Sequence, residues 1–170
     1  NYGNWEAGYR INPAANKDGQ PAVLSGALYG LHFKIFADAM RKAAAEVGNV
    51  GIKIGMVTTE ADEKDNTSTI IQAWNADAMT TSGSSPDFYV VHNYYTPYMQ
   101  NSSPEVILGT PVGVTTSMMN WVKNSLQKAG LQQKPVALDE WNIFSSGSKQ
   151  MVSNVAGVHA VMVLGELIKN

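Results

Sequence analysis

Short apolar runs alternate with amphipathic segments along most of this chain, and this alternation limits the folds that it can adopt. The apolar runs cover residues 52–57, 87–92 and 135–138. Near-continuous apolar runs of this length are typical of buried parallel strands. Because regular alternation of strands with helices indicates βα units on one parallel sheet, the sequence predicts an α/β fold.

The segments between these strands have the spacing of helices, with apolar residues at steps of three and four. Ser25 is a candidate N-cap of the first helix, and Gly48 is a candidate for its C-terminal turn. Thr67 or Ser68 is expected to cap the second helix, and Gly130 to end the third. The predicted helices cover residues 26–47, 115–128 and 152–168, together with the segment between the cap at Thr67 or Ser68 and a loop that starts at Thr80. An irregular stretch is predicted over residues 96–114.

The loops that follow the predicted strands are much longer than those that precede them. In a (β/α)8 TIM barrel the functional loops lie at the C-terminal face of the strands. The asymmetry therefore favours a TIM barrel, with an open doubly wound sheet as the alternative. A full barrel needs about 250 residues, so the predicted elements account for roughly half of one. No glycine-rich fingerprint follows a strand, and nucleotide binding has no support.

The composition argues against several classes of partner and chemistry. The chain has 170 residues, a formal net charge of −2 and no basic run, which argues against nucleic acid or an anionic membrane as a partner. It has no cysteine, so disulfides and thiolate chemistry are excluded. No apolar run approaches the roughly 18 residues of a membrane span. The acidic residues 60–65 lack the pattern of a calcium loop, and neither a metal nor a cofactor is expected.

Charged and aromatic residues gather where two predicted strands end. Residues 134–144 read KPVALDEWNIF, so Asp139 and Glu140 directly follow an apolar strand. The preceding strand ends in His92, Asn93, Tyr94 and Tyr95. Because the chemistry of α/β barrels lies where strands end, these residues mark a candidate active-site edge. The alternative is that both carboxylates are solvated loop residues.

Four stretches resemble the second half of the catalytic barrel of clan A glycoside hydrolases. They are residues 1–10 (NYGNWEAGYR), 29–57, 87–95 (DFYVVHNYY) and 136–142 (VALDEWN). Within the clan, the chain is most similar to α-L-arabinofuranosidase-type enzymes and their agarase- and xylosidase-like relatives. The resemblance implies that residues 1–170 form a partial catalytic domain, which begins just after the fourth strand and supplies strands five to seven. The expected partners are a polysaccharide or oligosaccharide substrate and the N-terminal half of the barrel, or an oligomer that completes it.

The resemblance also implies roles for individual residues. Glu140 matches the nucleophile of a retaining enzyme, and His92 and Tyr94 match residues that orient the nucleophile. Strand alternation would point the side chain of Asp139 away from Glu140, so Asp139 is expected only to support the site. Sugar contacts are expected from Trp5, Tyr95, Trp141 and Asn142, with Tyr9 and Tyr98 as further aromatic walls.

A retaining mechanism needs a second carboxyl group, about 5–5.5 Å from the nucleophile. In the clan, this general acid/base is the Glu of an Asn-Glu pair that would come immediately before Asn1, and Glu6 does not match that motif. The expected function is hydrolysis of a plant or algal polysaccharide by a secreted or periplasmic protein, although a cytoplasmic location is compatible. The alternative function is that of a non-catalytic, carbohydrate-binding or structural remnant of such a barrel.

Overall fold

The computed structural model describes residues 23–61, 69–144 and 146–170, together with residues 14, 19 and 21. The predicted caps Thr67 and Ser68, and residues 1–10, lie outside the described residues. The elements, in chain order, are α1 (Gly26–Glu46), β1 (Gly55–Val57), α2 (Thr69–Ser82), β2 (Phe88–Tyr94), α3 (Pro104–Lys128), β3 (Val136–Asn142), a short 3-10 helix (Lys149–Val152) and α4 (Asn154–Lys169).

Strands β1, β2 and β3 form one parallel sheet in that order. Helices separate the strands along the chain, which confirms the predicted α/β class and the predicted order of elements. A three-stranded parallel sheet with connecting helices is compatible with part of a (β/α) barrel. In the described ranges, no helix combines the length and the apolarity that crossing a membrane requires.

The side chains of β2 alternate between two faces of the sheet. Tyr89 and Val91 are fully buried in a core that they share with α2 and α3. The helical members of this core are Ala78, Met79, Met118, Val122 and Leu126. His92 and Tyr94 point to the opposite face because successive side chains of a strand alternate. We call these two sides of the sheet the helix-facing side and the site face.

Strand β3 is longer than the sequence predicts. It continues past Leu138 to Asn142, so Asp139 and Glu140 lie within the strand rather than in the loop that follows it. Pairing with β2 holds this polar segment in an extended conformation, because Glu140 is in register with His92. The two carboxylates are therefore placed by the sheet and not by a solvated loop.

Helix α3 begins well before the predicted start at Thr115. The hydroxyl of Ser103 accepts a hydrogen bond from the backbone N–H of Val106 at 3.4 Å, and Pro104 occupies the first turn. Proline fits there because the first turn of a helix does not use its N–H groups. Pro111 lies buried inside the helix, where a proline is usually read as a helix breaker. The predicted irregular stretch over residues 96–114 is therefore wrong from Pro104 onward.

At the end of the sheet away from the site, Asp87 connects three elements. Its carboxylate accepts hydrogen bonds from the Ile54 N–H and from Arg41 Nη2, both at 2.9 Å. Lys53 Nζ lies 3.6 Å from the same carboxylate. The hydrogen bond from Ile54, together with the hydrogen bond and charge of Arg41, lowers the pKa of Asp87 below its ordinary 3.8. The network fixes α1 to the residues immediately before β1 and β2.

Candidate active site

The C-terminal ends of β2 and β3 bring a carboxylate and two potential donors together. The Tyr94 hydroxyl donates a hydrogen bond to Glu140 Oε1 at 2.7 Å. His92 Nδ1 lies 3.4 Å from Glu140 Oε2. Because β2 and β3 are parallel neighbours, their ends meet at one edge of the sheet. Each oxygen of Glu140 thus contacts a different side chain of β2.

An additional residue in β3 turns both carboxylates toward the site face. Leu138 is in register with Val91, and Glu140 is in register with His92, so Asp139 is the extra residue of a β-bulge. A bulge places two residues of one strand opposite one residue of its neighbour and changes which face the following side chains occupy. Without it, Glu140 would share the helix-facing side with Leu138, which packs against the core.

Asp139 also contacts His92. Asp139 Oδ1 lies 2.9 Å from His92 Nε2, so the imidazole has a carboxylate oxygen near each ring nitrogen. The expectation that Asp139 points away from Glu140 is wrong, because it assumed a regular strand alternation that the bulge interrupts. His92 is mostly enclosed, with 18% of its side chain exposed.

The hydroxyl of Tyr94 is held in its protonated, donating form. Its hydrogen bond to Glu140 raises the pKa of Tyr94 above the ordinary 10.0, and burial and the charge of Glu140 act in the same direction. The side chain of Glu140 is 45% exposed, so a ligand can reach it. A reachable carboxylate with a contact at each oxygen can act as a nucleophile or as a general base.

Of the residues expected to contact a sugar, Tyr95 has a different position. Its side chain is buried with 4% exposure, and its hydroxyl is hydrogen-bonded to that of Thr115 at 2.8 Å. Tyr95 therefore packs between β2 and α3, which corrects its expected role as a sugar contact. The ring of Trp141 lies 6.4 Å from that of Tyr95 and is only partly exposed. Trp141 thus belongs to the helix-facing side of β3 rather than to the site face.

The remaining predicted sugar contacts divide between the edge of the site and the undescribed segments. Asn142 is in register with Tyr94 at the end of β3, and its side-chain oxygen accepts a hydrogen bond from the Ile143 N–H at 2.8 Å. Trp5 and Tyr9 lie outside the described residues. Asn142 therefore remains a candidate for the rim of the site.

An aromatic group that includes Phe144 stands next to Glu140. The ring of Phe144 lies 5.2 Å from that of Tyr94 and 4.8 Å from that of Tyr98. Tyr98 is 70% exposed, so the group offers an open flat surface beside the carboxylate. Sequence reasoning named Tyr98 as a wall but missed Phe144. The available signal was an aromatic residue directly after the strand that carries Glu140.

The loops after β2 and β3 are joined to one another. The Phe144 N–H donates to the Thr96 hydroxyl, and the Lys149 N–H donates to the Asn101 side chain, both at 2.8 Å. Gly147 has a φ of 85°, and a Cβ atom there would lie 2.8 Å from the carbonyl oxygen of Met99. Glycine is therefore required at this crossing. The two loops form one wall above the site edge.

Across the described ranges, no group of three His, Asp or Glu side chains is arranged to hold a metal ion. No protein-family model matches the chain, and no curated protein matches it. Among solved structures, the chain is similar to a family 51 α-L-arabinofuranosidase from Bifidobacterium longum, at 14% identity and a TM-score of 0.47. The match covers 89% of this chain and 28% of that enzyme. A likeness of this size establishes neither family nor activity.

Proposed function

We propose that this chain is the second half of the (β/α)8 catalytic barrel of a retaining glycoside hydrolase, with Glu140 as the nucleophile. The observation that supports it best is the 2.7 Å hydrogen bond from the Tyr94 hydroxyl to Glu140 at the C-terminal edge of the sheet. The substrate class, a plant or algal polysaccharide hydrolysed in the manner of an α-L-arabinofuranosidase, rests on the resemblance of residues 87–95 and 136–142.

In the proposed mechanism, a Glu140 oxygen attacks the anomeric carbon while the bond from that carbon to the leaving oxygen breaks. The leaving oxygen takes a proton from a second carboxyl group, which acts as general acid. The sugar is then held as an ester of Glu140 until a water molecule, deprotonated by the second group, displaces it. Tyr94 and His92 orient Glu140 for the attack because each contacts a different oxygen.

The second carboxyl group of this proposal comes from outside the described residues. Asp139 is next to Glu140 in sequence, but its carboxylate contacts His92 at 2.9 Å. An acid/base residue instead stands across the substrate, about 5–5.5 Å from the nucleophile. We assign this role to a glutamate on the preceding barrel strand of a longer protein, in line with the resemblance of residues 1–10. The same N-terminal half, or a second copy, would complete the barrel.

Covalent labelling of the nucleophile tests the proposal. The intact protein is incubated with mechanism-based inactivators, such as 2-fluoro glycosides of pentofuranoses and pyranoses, and is then digested. We expect one sugar adduct, on the peptide that contains Glu140, because the fluorine slows hydrolysis of the ester intermediate. Mass spectrometry locates the adduct.

A matched pair of variants makes the labelling test specific. Glu140→Gln should abolish the adduct, whereas Glu46→Gln, an equivalent change at the far end of α1, should leave the labelling rate unchanged. An adduct on another carboxylate, or an adduct that persists in Glu140→Gln, would show that Glu140 is not the nucleophile. No adduct with any inactivator would favour the non-catalytic, carbohydrate-binding alternative.

A further inference from the structure

His92 contacts both Asp139 and Glu140 only because β3 contains a bulge. Asp139 is the additional residue between Leu138 and Glu140 in the pairing with β2. A regular strand would present either Asp139 or Glu140 to His92, but not both. The bulge therefore presents two consecutive carboxylates to one imidazole. Bulges of this kind often redirect a side chain at a functional site.

Contacts with the two carboxylates constrain the orientation of the His92 ring. Nε2 lies 2.9 Å from Asp139 Oδ1, and Nδ1 lies 3.4 Å from Glu140 Oε2. Ionised carboxylates only accept hydrogen bonds, and a neutral imidazole can donate from just one nitrogen. Nε2 makes the shorter of the two contacts, so a hydrogen bond from Nε2–H to Asp139 fixes the rotation of the ring and places Nδ1 beside Glu140.

We propose that Asp139 is a positioning residue that holds the His92 ring in the orientation that places Nδ1 beside Glu140. This inference rests on the proposed function for its effect on catalysis. Without the Asp139 carboxylate beside Nε2, the ring can rotate and move Nδ1 away from Glu140. Removal of a carboxylate that orients a metal-bound histidine typically lowers activity by about 10–100-fold, and we expect a loss of the same order here.

The kinetic test asks whether Asp139 acts through His92. The rate of inactivator labelling at Glu140 is measured in the intact protein for Asp139→Ala, His92→Gln and the double variant. We expect Asp139→Ala to lower this rate by about 10–100-fold when His92 is present and by less than about twofold when it is absent, because coupled residues are not additive. Asp139→Asn should fall between wild type and Asp139→Ala, because its amide oxygen still accepts from Nε2 but carries no charge.

A control and the contrary results complete the kinetic test. Asp38→Asn, on the exposed surface of α1, should label at the wild-type rate. If Asp139→Ala has no effect, or the same effect with and without His92, the positioning role is overturned. If Asp139→Ala does not fold, Asp139→Asn takes its place. Its labelling rate is compared with that of wild type, and the comparison is repeated in proteins that carry His92→Gln. An equal effect of Asp139→Asn with and without His92 overturns the positioning role.

A spectroscopic test separates failure of this inference from failure of the proposed function. Nitrogen-15 spectra of the histidine rings report which nitrogens are protonated, and His92→Gln identifies the His92 signals. We expect the Nδ1 and Nε2 signals of His92 both to differ between wild type and Asp139→Ala, because the ring loses the carboxylate that fixes its orientation toward Glu140. Identical His92 signals in the two proteins would overturn the inference even if Glu140 is labelled. If wild type is never labelled, the proposed function fails, and the spectra alone decide whether Asp139 holds His92.

Discussion

Tyr89 and Tyr94 lie on one strand, and their hydroxyl groups have opposite surroundings. Tyr94 projects from the site face and donates to Glu140 at 2.7 Å. Tyr89 projects into the core, and its hydroxyl has no hydrogen-bond partner in the part of the chain that the structure describes. An unpaired buried hydroxyl destabilises the folded protein, whereas a hydrogen bond to a charged group stabilises it. Replacement of Tyr by Phe should therefore remove a hydrogen bond at position 94 and none at position 89.

Tyr94→Phe should slow labelling of Glu140 by about 10–100-fold. Hydrogen bonds to charged groups contribute about 1.5–3 kcal/mol, and each 1.4 kcal/mol corresponds to about tenfold. The ring of Phe at position 94 can keep its packing against Phe144, so the loss reports the hydroxyl alone. The rate constant for labelling by the inactivator measures this loss.

Tyr89→Phe is the matched control. It should be labelled at the wild-type rate without loss of stability. Equal labelling rates for the two variants would contradict a role for the Tyr94 hydroxyl.

The sequence predicts the Tyr94–Glu140 contact but not that Asp139 and Glu140 both face His92. Both strand ends are recognisable as apolar runs followed by polar and aromatic residues, and parallel neighbours bring such ends together. A β-bulge, in contrast, is one additional residue with no composition of its own. The run Val136 to Asn142 contains neither glycine nor proline that would signal one. Only the pairing with β2 decides which residue is extra.

At the scale of the elements, His159 connects α4 to its neighbours. It is fully buried, its ring lies 5.1 Å from that of Tyr95, and its Nε2 lies 3.2 Å from the Thr110 hydroxyl. That hydroxyl donates to the Ile107 carbonyl, so Nε2 of His159 must be the donor between them. Burial lowers the pKa of His159 below its ordinary 6.5.

The free energy of unfolding should decrease as the pH falls below about 6.5, because His159 is buried in its neutral form. In the window between 6.5 and the lowered pKa of His159, the unfolded chain binds a proton that the folded chain does not. The contribution of neutral His159 to stability is fully present above this pH window. Within the window, it falls by up to about 1.4 kcal/mol for each pH unit. Urea unfolding of wild type and His159→Gln at several pH values measures the difference. Equal pH dependence in the two proteins would contradict the prediction.

Helix α3 shows why element boundaries are harder to predict than element types. Ser103, Pro104 and Glu105 form a good helix start, with a capping hydroxyl, a proline in the first turn and an early acidic residue. Pro111 and the nearby glycines, however, favour a loop by local preference. The helix continues through Pro111 because that residue is buried in the packed structure. Tertiary packing of this kind overrides local preference, and the sequence pattern does not contain it.

At the scale of the whole molecule, the two outer helices have large apolar side chains that the described residues leave exposed. On α1 and α4 these are Leu31, Ile35, Phe36, Met40, Val158, Val161, Leu164 and Ile168. Patches of this kind usually mark an interaction surface. The order of strands and helices was predictable from periodicity. A closed barrel, however, needs more strands than the three that the described residues form. The proposed remainder of a barrel would cover α1 and α4, since each has a neighbouring helix in a closed ring.

Phe36→Lys tests whether α1 is covered in the intact protein. Phe36 is 68% exposed among the described residues, yet burial of a Phe side chain contributes about 1.5–3 kcal/mol, and an unpaired buried charge costs more. If the rest of a barrel packs on α1, Phe36→Lys should lower the unfolding free energy of the intact protein by at least about 2 kcal/mol. Ala45→Lys adds the same charge on the opposite side of α1 from Phe36. It should change the free energy of unfolding by less than about 0.5 kcal/mol. Equal, small effects of both variants in urea unfolding would mean that α1 faces solvent, and the completed barrel would have to be abandoned.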